Sequence, residues 1–141
     1  MKRSASARWE GDLRTGKGSV STDSGVLADT PYSFATRFEN GQGTNPEELV
    51  AAAHAGCFTM ALSAELAKAG IVARRLHTRA TVTLDKVDGG FAVTESHLEL
   101  RATIPGASEE AFRAAARAAE TGCPISKLLN AKITLDAKLE S

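Results

Sequence analysis

Asn45-Pro-Glu-Glu-Leu-Val-Ala-Ala-Ala-His-Ala-Gly-Cys-Phe-Thr-Met-Ala-Leu-Ser-Ala-Glu-Leu-Ala-Lys-Ala-Gly70 carries helix signals at both ends. Asn45 is a favoured N-cap, Pro46 suits the first helical position, and Glu47 and Glu48 complement the first-turn dipole. Asn45 with Glu48 three positions on fits a capping box, which leaves Glu47 without a capping task. Gly70 is a left-handed stop after Ala69. At 1.5 Å per residue the helix spans roughly 36 Å. Its middle, Val50 to Leu62, is apolar nearly all round, which predicts a buried central helix whose small residues admit close neighbours. One chain of this length has difficulty covering such a helix on every side, which points to a dimer core.

Strands flank this helix in the sequence. Before it, residues 4–10, Ser19 to Thr22 and Tyr32 to Phe38 read as short strands, with Gly11-Asp12, Gly16 to Gly18 and Asp23-Ser24-Gly25 as turns. In the alternation Tyr32, Phe34, Thr36, Phe38, Arg37 projects from the opposite side, where residues alone leave it a solvated charge. After the helix, Ala80 to Asp85 alternates, Asp88-Gly89-Gly90 turns, and Phe91 to Ile104 returns with Leu98, Leu100, Ala102 and Ile104 on one face. Ser108 caps a helix to about Thr121, Gly122 stops it, Cys123-Pro124 opens a short helix to about Asn130, and Ile133 to Leu139 is a closing strand. Strands, helix, strands, helices, strand describe a single α+β domain over residues 1–141.

Composition bounds the function. The 141 residues are 43% hydrophobic and 24% charged, ordinary for a globular chain. Seventeen basic and 17 acidic side chains cancel, so no general attraction to nucleic acid or anionic membrane is expected. One Trp, one Tyr and five Phe do not make a stacking platform. Met1 to Trp9 has no apolar signal core, and the run Leu49 to Leu62 is short for a bilayer. The expectation is a cytoplasmic protein without nucleic-acid or membrane partners.

Two cysteines remain as sources of chemistry, Cys57 in mid-helix and Cys123 in the Gly-Cys-Pro turn. A buried thiol often only packs, and an unperturbed one is only a few per cent thiolate at neutral pH. Cys123 precedes Pro124 at an N-cap, where a turn exposes its side chain and backbone N–H groups favour an anion. On the helix, Glu47 falls roughly 80° from Cys57 around the axis and Glu48 about 180° away, so Glu47 is on the Cys57 side. A bridging arginine would be needed to connect them. His54 shares a face with Cys57 and, with Cys123, gives three possible soft metal ligands. No Cys-x-x-Cys pair or evident fourth ligand accompanies them, and no metal is expected.

The chain resembles the osmotically inducible protein C (OsmC) family and its relatives, the organic hydroperoxide resistance proteins. The resemblance rests on Trp9-Glu-Gly-Asp12, Gly16-Lys-Gly18 and Ser21-Thr-Asp-Ser-Gly-Val26, and above all on Thr36 to Cys57. It continues in Leu84-Asp-Lys-Val-Asp88, Gly122-Cys-Pro-Ile-Ser126 and Ile133-Thr-Leu-Asp136. It implies an OsmC-like α+β fold built as an intertwined homodimer, and a cysteine-based thiol peroxidase without a cofactor. By the same resemblance Cys57 attacks the peroxide and Cys123 resolves the oxidised form. Arg37 contacts the reactive sulfur and Glu47 orients Arg37. The hydroperoxide-resistance branch draws its arginine from nearer the N-terminus, where this chain has Arg8 and Arg14. Organic hydroperoxides are the implied substrates, hydrogen peroxide a slower one, and a lipoyl-type dithiol the reductant, in oxidative or osmotic stress defence. The alternative is a non-catalytic dimer of the same fold that binds an apolar ligand or senses peroxide.

Overall fold

The structure is a computed structural model and describes residues 1–140. It divides into two compact units, Met1–Leu49 and the remainder from Val50, with the boundary inside the long helix.

In the first unit, β1 (Ala5–Glu10), β2 (Lys17–Thr22) and β3 (Thr30–Tyr32) form an antiparallel sheet in that order. The β1–β2 connection is built on Asp12, whose Oδ1 accepts from the backbone N–H groups of Arg14 (2.9 Å) and Thr15 (2.8 Å). Gly16 closes that turn, but Gly18 lies within β2 rather than bracketing the turn, paired with Trp9 and Tyr32. A Cβ there would lie 2.5 Å from the Tyr32 ring and 2.6 Å from Trp9. Its absence lets the two rings approach, with centroids 5.5 Å apart.

The strand expected over Tyr32 to Phe38 ends at Tyr32, and Phe34–Phe38 form a short helix, α1. Local side-chain bonds override the alternation. Ser33 Oγ accepts from the Thr36 N–H (3.2 Å), and Thr36 Oγ1 accepts from the Ser33 N–H (2.8 Å), a reciprocal capping box. Phe34 and Phe38, four residues apart, then meet with centroids 4.9 Å apart. Arg37 therefore leaves from a helix, not from a strand.

The long helix, α2, is Pro46–Lys68. Asn45 Oδ1 caps it by accepting from the Glu48 N–H (2.7 Å), and Gly70 follows with φ +72°. By length and hydropathy alone α2 is sufficient to cross a membrane. Here it packs through one stripe, His54, Phe58, Leu62 and Leu66, spaced four apart. Ala52, Ala53, Gly56, Met60 and Ala64 stay exposed on the single chain.

The second unit's sheet has the order β4-β5-β6, with β4 Arg75–Val87, β5 Gly90–Thr103 and β6 Lys132–Glu140. β4 and β5 form an antiparallel hairpin, and Gly89 (φ +88°) in its turn adopts the conformation glycine allows. α3 (Glu109–Gly122) and α4 (Pro124–Leu128) carry the chain across to β6, which runs parallel to β5. Ser108 caps α3 as expected, its side chain accepting from the Ala111 N–H (3.1 Å). Leu98, Leu100 and Ala102 point from β5 into a core with Phe58, Leu62, Leu66, Phe112, Ala116 and Ala119.

Candidate active site

Cys123 belongs to two helices at once. Its N–H donates to Ala119 O (3.0 Å), ending α3, and its carbonyl accepts from the Lys127 N–H (3.1 Å), opening α4. Its side chain makes no cap hydrogen bond. The thiol is fully buried, contrary to the expectation of an exposed turn. The reason is periodicity: Phe112, Ala116, Ala119 and Cys123 continue one apolar face of α3 beyond its last turn.

Cys57, on α2 beside the buried stripe, is half-exposed. The Cys123 thiol and the Ile125 backbone N–H lie beside its sulfur. Burial pushes the Cys57 pKa up, and the neighbouring Cys123 thiol adds to that. The Ile125 N–H opposes it by stabilising the thiolate, without reversing the direction. Both cysteines are unbridged, and Cys57 packs against the core cluster that contains Cys123.

In the first unit, Arg37 donates to Glu47 Oε1 from Nε (2.9 Å), and its second guanidinium nitrogen lies 2.8 Å from the same oxygen. Glu47 is 13% exposed and Arg37 41%. Glu48 is used otherwise, its carboxylate accepting from Thr44 Oγ1 (2.7 Å). Glu47 is thus the acidic residue of the first turn that faces Arg37, and its Oε2 is buried without a hydrogen-bond partner. Arg37 borders a cavity of about 250 Å³ walled by Trp9, Leu13, Tyr32, Phe34 and Phe38. Two pairs therefore stand together, the ion pair of Arg37 with Glu47 and the neighbouring thiols of Cys57 and Cys123, each inside one unit.

A family model described as OsmC-like protein matches residues 39–138. The chain belongs to the OsmC-like family. It is 51% identical over 141 residues to a protein named peroxiredoxin OsmC from Escherichia coli K12, covering 100% of this chain and 99% of that one. It is 30% identical over 124 residues to the organic hydroperoxide resistance protein OhrB of Bacillus subtilis, covering 87% and 88%. The crystal structure of that OhrB superposes with a TM-score of 0.68 at 28% identity, covering 97% of this chain and 98% of the other.

The other arginines weighed for this OsmC-like chain have their own surroundings. Arg8 pairs with Asp29 at the surface (3.4 Å), and Arg14 lies over the Phe34 ring, 4.7 Å from its centroid. His54 is fully buried, with Nδ1 2.6 Å from Ser96 Oγ and Nε2 2.8 Å from Ser126 Oγ. Burial pushes its pKa down. With both nitrogens engaged, His54 does not offer a lone pair to a metal shared with Cys57 and Cys123. Among the described residues no group of three or more His, Cys, Asp or Glu is arranged to hold one. Sequence reasoning placed His54 on the Cys57 face but missed both serines, 42 and 72 positions away.

Proposed function

We propose that the whole chain, residues 1–141, works as a single OsmC-like domain and a cysteine-based thiol peroxidase. It reduces organic hydroperoxides to alcohols, and hydrogen peroxide more slowly, in oxidative or osmotic stress defence. The observation that carries this reading is the placement of the Cys57 and Cys123 thiols beside one another at one core cluster. The relatives named peroxiredoxin OsmC and organic hydroperoxide resistance protein support it.

The Cys57 thiolate attacks the terminal peroxide oxygen. The O–O bond breaks, and the departing alkoxide takes a proton to become the alcohol. Cys57 is left as a sulfenic acid. Cys123 then attacks that sulfur, forming the Cys57–Cys123 disulfide and releasing water. An external dithiol, lipoyl-type in this reading, reduces the bridge and is itself oxidised to a disulfide. Arg37 supplies the positive charge that favours the thiolate and the leaving alkoxide, and Glu47 holds the guanidinium in one orientation. The cavity beside Arg37, with its aromatic walls, suits an organic group better than a bare hydroperoxide. We place the protein in the cytoplasm, where thiols stay reduced between cycles. We further propose that a second copy covers the exposed apolar side of α2 in an intertwined homodimer, with Met60, 79% exposed, inside the contact.

The test is consumption of cumene hydroperoxide and of hydrogen peroxide with dihydrolipoamide as reductant. Many equivalents per subunit, with the organic peroxide used faster, are expected. One equivalent per subunit would replace the enzyme with a sensing or ligand-binding dimer. In the same assay Glu47→Gln is expected to lower kcat/KM about tenfold, the scale of one hydrogen bond to a charged group. An unchanged kcat/KM would remove Glu47 from the site.

A further inference from the structure

The buried titratable group that this cycle leaves unused is His54. It sits one helical turn before Cys57 on α2, and its two ring nitrogens face different elements. Nδ1 meets Ser96, fully buried on the central strand β5, and Nε2 meets Ser126 on α4. A neutral imidazole satisfies both hydroxyls, donating at one nitrogen and accepting at the other. Burial disfavours the charged form and keeps the ring in that state.

α4 has five residues, too few to hold a helix by itself, and none of them is fully buried. It nevertheless carries two groups that reach Cys57: the Ile125 N–H on the sulfur, and Cys123 at its cap. Ser126 adjoins Ile125 and lies three residues after Cys123. The Ser126–His54 bond is thus a polar tie from α4 into the core, next to the groups that set Cys57 chemistry.

We propose that His54 is a positioning residue for peroxide reduction: braced by Ser96, it holds Ser126 and so keeps Cys123 and the Ile125 N–H of α4 on the Cys57 sulfur. This rests on the reading of Cys57 and Cys123 as the reactive pair. Two steps depend on the tie. Closure of the sulfenic acid by Cys123, with loss of water, needs the two sulfurs held in line. Formation of the thiolate needs the Ile125 N–H aimed at the sulfur.

Asn and Gln separate this role from that of a satisfied core histidine. A Gln side chain reaches the position of Nε2 and can keep Ser126. Asn reaches only that of Nδ1 and can keep Ser96. Wild type, His54→Gln, His54→Asn and Ser126→Ala would be compared by two readouts. The first is the lifetime of the sulfenic acid after one equivalent of cumene hydroperoxide, followed as disulfide formation. The second is the pH dependence of Cys57 alkylation by iodoacetamide, read by peptide mass spectrometry without peroxide. Ser126→Ala and His54→Asn are expected to slow closure about tenfold, the cost of imperfect alignment. They should slow alkylation at pH 7 about tenfold while leaving its rate at high pH unchanged, because one donor to the thiolate is lost. His54→Gln should stay within about threefold of wild type on both, given the retained bond.

Equal impairment of His54→Gln and His54→Asn, or wild-type behaviour of Ser126→Ala, would overturn the proposal. Ser126→Ala removes one hydroxyl from a half-buried site, so it tests the tie even if the His54 variants fold poorly. If wild type forms no Cys57–Cys123 disulfide with peroxide, the peroxidase reading fails. The alkylation profiles still decide whether His54 positions α4.

Discussion

Cys57→Ser is expected to consume no peroxide above the buffer rate, and Cys123→Ser to stop after about one equivalent per subunit when dimedone caps the sulfenic acid ahead of rescue by external thiol. The two outcomes differ because the sulfurs do different work in the proposed cycle. A serine hydroxyl is not ionised near neutral pH and is a poor nucleophile toward peroxide oxygen, so the first variant loses the attacking group itself. The second keeps the Cys57 thiolate and loses only the internal partner that closes the sulfenic acid. It also loses the neighbouring thiol that adds to the raised Cys57 pKa. Its single turnover should therefore be no slower at neutral pH than the first turnover of wild type. Peroxide consumption followed over time, with mass spectrometry of the Cys57 peptide, checks both. Turnover surviving in Cys57→Ser would exclude the mechanism.

The second large effect is on stability. Phe58→Ala is expected to destabilise the protein by about 3–5 kcal/mol, the usual cost of emptying a fully buried phenyl site. Phe58 is 0% exposed and shares its core with Leu62, Leu98, Leu100 and Phe112, so the lost ring leaves a cavity bounded by helix and sheet. Urea unfolding at one fixed protein concentration measures it, because association would make the midpoint concentration-dependent. A loss below about 1 kcal/mol would mean the site collapses freely and the α2 stripe does not organise the unit. Phe58 also sets the rotation of α2: with it seated in the core, the adjacent Cys57 is placed at the edge of the stripe rather than inside it.

Much of this was legible in the sequence because the signals are local. Asn45, Pro46 and Gly70 mark the ends of α2, Ser108 marks the start of α3, and Asp88 with Gly89 marks the hairpin. Each acts through backbone geometry within a few residues. The misreading of Tyr32 to Phe38 has the same origin. Aromatic residues at 32, 34 and 38 fit a strand alternation, but 34 and 38 also fit a helix, and the Ser33–Thr36 pair tips the balance. The signal was present as a Ser followed three positions later by Thr, a weaker form of the usual capping box.

The sites were harder to read for a physical reason. The turn at Gly122-Cys123-Pro124 suggests exposure, yet the stride from Phe112 through Ala116 and Ala119 leads inward to Cys123. Following that face past the helix end would have corrected the expectation. The hydroxyls that take up His54 depend on the approach of β5 and α4 to α2, and no pattern within a short window encodes that approach. What could be read was the stride His54, Phe58, Leu62, Leu66, which places the histidine on the buried stripe and so requires it to find partners.

The unequal burial of the two sulfurs has a kinetic consequence. Thiol–disulfide exchange runs in line, with entering, central and departing sulfur on one axis. Cys123 is 0% exposed while Cys57 reaches the surface. In the proposed cycle, with the bridge closed where the resting thiols stand, an incoming dithiol meets Cys57 first and expels Cys123 inward. The mixed disulfide then sits on Cys57, the same atom that earlier met the peroxide. On that proposal one atom is the port for both oxidant and reductant, in alternation. The expected rate law is double displacement: parallel lines in reciprocal plots, and competitive inhibition by whichever substrate binds the wrong oxidation state of the port.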